Sequence, residues 1–147
     1  MPDIAASAGN VRATHPQNSE RFDGLAAEAI AEGQLVAMVA ATGKYVVADA
    51  NVAGRNQPRG VALSAAGPGR PGFTFLKRGP VAGFTTNMPA YDAPVYASDT
   101  AGAIGTTTPA IGSVAALVGR VMAIPDGTPT KVIYFDFPWT GVYPTQA

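Results

Sequence analysis

The sequence predicts an all-β fold, a small barrel or sandwich of about eight strands with an extended N-terminal arm and an irregular C-terminal tail. Its apolar residues fall in runs too short for helices that must bear the cost of nucleation. Seventeen glycines and 13 prolines separate those runs. A chain of 147 residues, 47% of them hydrophobic, is enough for one domain with a sizeable core. Without cysteine, the fold must hold by packing alone.

The clearest β-pattern lies in residues 59–84. Residues 60–65, 73–76 and 81–84 are apolar runs bounded by glycine, proline and other turn-forming residues. We predict three consecutive strands here, with the rest of the chain extending and closing their sheet.

The first 24 residues show neither a helical nor a strand period and contain few large apolar side chains. Such a segment cannot offset its own ordering entropy, so it is either a disordered tail or, as we favour, an arm that orders only against a partner. Ile4, Val11 and Phe22 are its candidate anchors. The β-domain is then expected to span residues 25–137. Its first part, 25–32, has the composition of a two-turn helix, although a strand or irregular structure fits the downstream pattern better.

Residues 35–41 and 45–48 flank the sequence Thr42-Gly43-Lys44, which predicts a hairpin with Gly43 at a positive φ. The same order of strand, glycine turn and glycine-led strand returns 59 residues later, where Gly43 aligns with Gly102 and Gly60 with Gly119. We therefore expect two similar four-stranded halves within one barrel or sandwich.

The second half begins with a strand at 94–97 and continues with an apolar run at 118–124. Asp126-Gly127 predicts a tight turn before residues 131–137. This last strand is apolar on both faces, which predicts that it is central or lies at a subunit contact. The tail, 138–147, contains further prolines and is expected to be irregular.

The charge pattern excludes some classes of partner. A net charge of zero and a pI near 6.5 argue against a general nucleic-acid binder. No apolar run is long enough for a membrane helix. The window 50–91 holds basic residues and no acid, which indicates either a patch for a protein partner or a solvated face. These basic residues are Arg55, Arg59, Arg70, Lys77 and Arg78.

No pattern in the sequence favours catalysis, a cofactor or a metal. The segment 67–72 has the spacing G-x-G-x-x-G, but the residues after it predict a strand instead of the helix that a dinucleotide site needs. The single histidine, His15, lies in the predicted arm, where a catalytic base would lack an orienting partner. The ten acids are scattered without metal-ligand spacing. We expect a protein that is not an enzyme and carries no cofactor.

Trp139, Tyr134, Phe137 and Tyr143 form a late aromatic group. Such a group provides either a platform for a sugar or packing over the barrel end or a neighbouring subunit. Packing is the interpretation we favour, and a carbohydrate- or receptor-binding β-module is the alternative function.

Several segments together resemble the capsid cement, or head decoration, proteins of tailed bacteriophages. They are the Gly-Gln before a strand at 33–34, the Thr-Gly-Lys turn, the Gly-Val-Ala-Leu strand at 60–63, the glycine-rich hairpin, the Val-Tyr-Ala-Ser run at 95–98 and Gly-Arg-Val at 119–121. The resemblance covers about residues 31–137, most of the chain.

The resemblance implies a β-rich protein, made in the host cytoplasm, that sits on the outer surface of the virion head. It implies the major capsid protein as partner, self-association as a trimer or a dimer, and no role for nucleic acid or membrane. The N-terminal arm would add to a strand or loop of the capsid protein. The candidate capsid-binding residues are then Ile4, Val11, Phe22, Arg55, Arg59, Arg70, Lys77 and Arg78.

Overall fold

The computed structural model describes residues 3–7, 9–14, 17, 19–124 and 130–145. Within these residues the fold is all-β, as predicted, with no α-helix. The described part of the chain contains twelve strands: β1 Ala5–Ala6, β2 Arg12–Ala13, β3 Glu20–Leu25, β4 Leu35–Met38, β5 Tyr45–Val47, β6 Pro58–Ala62, β7 Gly72–Ala82, β8 Phe84–Thr86, β9 Pro94–Ala97, β10 Ile104–Gly105, β11 Leu117–Ala123 and β12 Lys131–Asp136. The Asp126-Gly127 turn and His15 lie outside the described residues.

Ten of these strands form one curled antiparallel sheet in the order β10-β9-β11-β12-β7-β6-β4-β5, with β2 and β3 also paired to β7. The remaining two, β1 and β8, form a small second sheet. The concave side of the curled sheet encloses the main core, whose largest fully buried side chains include Leu35, Leu76, Ile133, Phe135 and Phe137. As predicted, β12 is central, because it pairs with β11 on one side and β7 on the other.

Strand β7 corrects the prediction for residues 73–84. Instead of two short strands with a turn at Lys77–Pro80, the chain forms one 11-residue strand and then β8. Gly79 adopts a φ of 137°, a region open mainly to glycine, and so the chain continues through Gly79-Pro80 without leaving the sheet. Pro80 lies opposite Tyr134 of β12, and its carbonyl accepts a hydrogen bond from the Thr14 amide (3.1 Å).

The N-terminal segment also differs from the expectation of an arm that orders only against a partner. Its described residues lie on the chain's own sheets: β3 and β2 pair with β7, and β1 pairs with β8. Ile4 and Val11 are only 4% and 6% exposed and belong to the main core. Apolar burial and backbone pairing together offset the ordering cost that the composition alone left uncompensated.

A second, smaller core lies on the convex side of β4, β5, β6 and β7. Its centre is Phe75, whose ring contacts those of Tyr45 and Phe73, with centroids 4.7 and 5.7 Å away. The irregular segment at residues 26–34 covers this core and places Ile30 in it, 2% exposed. Residues 26–32 therefore form neither the helix nor a regular strand, which agrees with the irregular interpretation.

The predicted repeat is present in the strand pairing. The first residues of β4, β5, β6 and β7 lie 59 positions before those of β9, β10, β11 and β12. At that offset, the pair Ala37 and Val46 becomes Tyr96 and Gly105, which are also paired. Even the bulge is repeated, since the unpaired residue is Arg59 in the first half and Val118 in the second. The two halves therefore share the register of their first three strands.

The fourth strand breaks the repeat by one residue. Val61 pairs with Leu76 in the first half, but Arg120, the equivalent of Val61, pairs with Tyr134 instead of Phe135. A slip of one residue turns the other face of a strand toward the core. The first half consequently places Leu35, Ala37 and Val61 in the main core, whereas the second places Val95, Ala97 and Val121 there.

A candidate docking face on strands 9, 11 and 12

The one-residue slip leaves the second half with an outward face that the described chain covers only in part. Leu117, Arg120 and Tyr134 are exposed, whereas Tyr96 and Met122 are half-buried and Val132, opposite Met122, is buried. The cross-strand pairs Tyr96 with Leu117 and Arg120 with Tyr134 lie on this face, and Met122 follows Arg120 on the same side of β11. We define the docking face by these five residues: Tyr96, Leu117, Arg120, Met122 and Tyr134. Their neighbours Val95, Val118, Val121 and Phe135 point inward and are at most 2% exposed.

The docking face is apolar and accessible. Leu117 is 42% exposed and Tyr134 is 36% exposed. A shallow groove of about 380 Å³ runs between β11 and β12 and is lined by these two residues together with Arg120, Asp136 and Pro138. Because the groove floor is a paired sheet with a packed core beneath it, this surface is formed before any partner arrives.

The charged residue of the docking face, Arg120, forms only a weak ion pair within the described chain. The Arg120 guanidinium donates to the Asp92 carbonyl at 2.8 Å, but its nearest carboxylate oxygen, on Asp92, is 3.9 Å away. Both side chains of this pair are largely exposed, so the pair contributes little to folding stability. At the face's edge, the Lys131 ammonium lies 5.5 Å from the centre of the Tyr91 ring. Tyrosine, methionine and arginine are the residue types enriched at the centres of protein interfaces.

The basic window does not form one patch. The Arg55 guanidinium makes two hydrogen bonds to the Glu28 carboxylate (2.9 and 3.1 Å). Glu20 lies 3.7 Å from Lys77 and 3.2 Å from Arg78, while Arg59 donates to the carbonyls of Pro138 and Gly141 (2.8 and 3.0 Å). Arg55 therefore contacts the segment 26–34, Lys77 and Arg78 contact the N-terminal segment, and Arg59 contacts the tail. Arg70 lies apart, in the loop before β7. All of these partners lie outside the window 50–91 in sequence.

The three apolar candidates of the N-terminal segment are separated by the fold. Ile4 and Val11 are inside the main core and are not accessible to a partner in this structure. Phe22 remains 44% exposed on β3, with its ring centroid 5.9 Å from that of Phe75 and 5.7 Å from that of Trp139.

The late aromatic group is mainly a packing group. Phe137 is fully buried in the main core. Burial raises the pKa of Tyr143 to about 12, with a smaller lowering from Arg59 and a smaller raising from Asp136. Trp139 stacks on Phe75 at an interplanar angle of 7°, and its indole N–H donates to the Arg59 carbonyl (2.9 Å). Tyr134 belongs to the docking face, so the four rings do not form a common platform.

The glycine-rich segment 67–72 forms a tight turn in which Gly67 and Arg70 exchange backbone hydrogen bonds of 3.0 Å. It leads into β7, in agreement with the predicted hairpin loop. Among the described residues, no group of three or more histidine, cysteine or acidic side chains is arranged to hold a metal ion. In the same part of the chain, no helix is long and apolar enough to cross a membrane.

The docking face is not recognisable as a site from the sequence alone. One signal was present, since residues 131–137 are apolar on both faces and Tyr134 is the member that the fold leaves outside. The sequence around Leu117 and Tyr96 does not indicate that they are exposed, because their outward direction follows from the one-residue slip between β11 and β12.

Comparisons with protein-family models, curated proteins and solved structures find no match to this chain.

Proposed function

We propose that this chain is a structural virion protein that binds the outside of a phage head, contacts the major capsid protein and stabilises the assembled shell. The observation that carries the proposal is the docking face, a partly exposed surface of Tyr96, Leu117, Arg120, Met122 and Tyr134 on a preformed sheet. The resemblance of residues 31–137 to head decoration proteins indicates which partner to expect, the major capsid protein. The mechanism requires binding and no chemical step.

Stabilisation would follow from mass action. A protein that binds the assembled shell more tightly than free capsid subunits adds a free energy of RT ln(1 + [L]/Kd) for each occupied site. A head presents many equivalent sites, so a modest free energy at each one sums to a large resistance to rupture. Association between bound copies would add avidity.

The test uses heads of the phage that encodes this chain, prepared without the chain. Purified protein is added, heads are pelleted, and the bound fraction and the temperature of head rupture are measured. We expect saturable binding and a higher rupture temperature. Absence of binding to intact heads would overturn the proposal.

The alternative function, a carbohydrate- or receptor-binding module, has less structural support. Trp139 is 37% exposed, but one face of its ring is stacked on Phe75. Substitution of Trp139 by alanine separates the two functions, since a glycan site built on this ring would be lost while head binding through the docking face would remain.

A further inference from the structure

Strand β3 is an edge strand. It pairs with β7 along one side, and no other strand of the described chain lies along its second side. Five of its six residues are exposed. Open grooves of about 480 and 690 Å³ adjoin it, the first lined in part by Arg21 and Phe22 and the second by Gly24 and Leu25. An uncovered edge of this kind presents backbone donors and acceptors for a further strand.

The sequence of β3 is complementary to itself. In an antiparallel pair centred on Phe22, each Phe22 lies opposite its copy, and each Arg21 lies opposite an Asp23. Directly opposed residues of opposite charge stabilise such a pair, and opposed aromatic rings do as well. Within the described chain, neither Arg21 nor Asp23 forms an ion pair, although Asp23 accepts a hydrogen bond from the Thr74 hydroxyl (2.9 Å).

The two neighbouring twofold-symmetric registers are unfavourable. A pair centred on Arg21 places the two Arg21 guanidinium groups opposite each other. A pair centred on Asp23 places the two Asp23 carboxylates opposite each other. The charges of β3 thus select the register centred on Phe22.

We propose that β3 pairs with β3 of a second copy of this chain, antiparallel and centred on Phe22. The pairing joins the two curled sheets across a twofold axis and covers the exposed part of Phe22. A twofold interface of this kind needs the same self-complementary patch on both subunits, which the Arg21-Phe22-Asp23 sequence provides. The proposal rests on β3 alone and is independent of the proposed function, because the docking face consists of other residues.

Charge reversal tests the pairing. The mass in solution is measured by analytical ultracentrifugation for the wild-type chain, R21D, D23R and the double variant R21D/D23R. We expect a wild-type dimer, an increase of about tenfold or more in the dimer Kd for each single variant, and recovery in the double variant, in which the opposed charges are exchanged. A wild-type monomer, or a dimer or trimer that none of the variants changes, would overturn the proposal.

A crosslink provides a second measurement. The wild-type chain has no cysteine, so Phe22→Cys introduces one thiol without background. Opposed Cα atoms of an antiparallel pair lie about 4.5–5.5 Å apart, within disulfide range. Mild oxidation should convert this variant to a covalent dimer far faster than the control Val52→Cys, whose wild-type side chain is similarly exposed (40%) in the loop before β6. Equal rates for the two variants would contradict pairing at Phe22.

Discussion

Gly60 of β6 lies directly against the ring of Phe75 on β7. A Cβ atom at this position would come 2.5 Å from Cδ2 of Phe75 and 3.0 Å from the Leu76 carbonyl oxygen. The Phe75 ring occupies the space that a side chain at residue 60 would need, and Tyr45, Phe73 and Trp139 pack around it. The convex core of the first half therefore depends on the absence of a side chain at residue 60.

Gly60→Ala is expected to destabilise the fold by about 1–3 kcal/mol, because the methyl group must displace the Phe75 ring or the backbone of β7. Gly67→Ala is the matched control, since its Cβ would meet no atom within 4 Å. Urea unfolding of the two variants measures the difference. Equal stabilities would show that Phe75 moves away at little cost and that this contact does not fix the core.

The raised pKa of Tyr143 predicts that the fold loses stability at alkaline pH. Burial raises its pKa to about 12 from an ordinary 10.0, so the folded state favours the neutral phenol. The contribution to stability is present below pH 10 and is lost as the pH rises from 10 toward 12. Tyr143→Phe should reduce that loss, and the part that remains is expected to include Tyr45, whose pKa burial also raises.

The same substitution has an expected result at neutral pH. The Tyr143 hydroxyl is buried and finds no hydrogen-bond partner in the described structure. Its removal should therefore leave the free energy of unfolding unchanged within about 0.5 kcal/mol, or raise it slightly. A large destabilisation of Tyr143→Phe would reveal a partner for the hydroxyl and contradict this placement.

The N-terminal segment is expected to contribute to folding. Ile4→Ala removes a buried side chain from the main core and should cost about 2–4 kcal/mol. Ala5→Ser, at an exposed position of β1, should stay within about 0.5 kcal/mol of the wild type. Thermal unfolding compares the two variants. If Ile4→Ala is as stable as its control, the segment is an independent arm after all.

Removal of the first 24 residues extends this test. The truncated chain loses β1, β2, most of β3 and the side chains of Ile4 and Val11 from the core. We expect a lower midpoint of thermal unfolding, which a free arm would not produce. An unchanged midpoint would contradict the pairing of the N-terminal segment with β7 and β8.

Local pattern was enough to predict the class of fold and several of its elements. The Thr42-Gly43-Lys44 turn is present with Gly43 at a φ of 73°, and the repeat at an offset of 59 residues is borne out by the strand registers. These features depend on turn chemistry and on alternation along single strands, which are visible in the sequence.

Features set by distant contacts could not be predicted. The continuity of β7 through Gly79-Pro80 depends on its pairing with β12 and β2, and the pairing of Arg55 with Glu28 joins residues 27 positions apart. The docking face depends on a one-residue slip between β11 and β12, which side-chain packing decides. No periodicity within β11 reveals which of its faces will be exposed.

Binding of the double variant Leu117→Ser/Tyr134→Ser to heads that lack this chain tests the central claim most directly. Ile111→Ser is the control, because Ile111 is 81% exposed and lies outside the docking face. With folding verified by circular dichroism, we expect the double variant to bind at least about tenfold more weakly than the wild type and to leave the rupture temperature of the heads unchanged, whereas the control binds normally. Undiminished binding by the double variant would contradict the docking face, and binding lost equally in both variants would show that general surface hydrophobicity holds the protein to the shell.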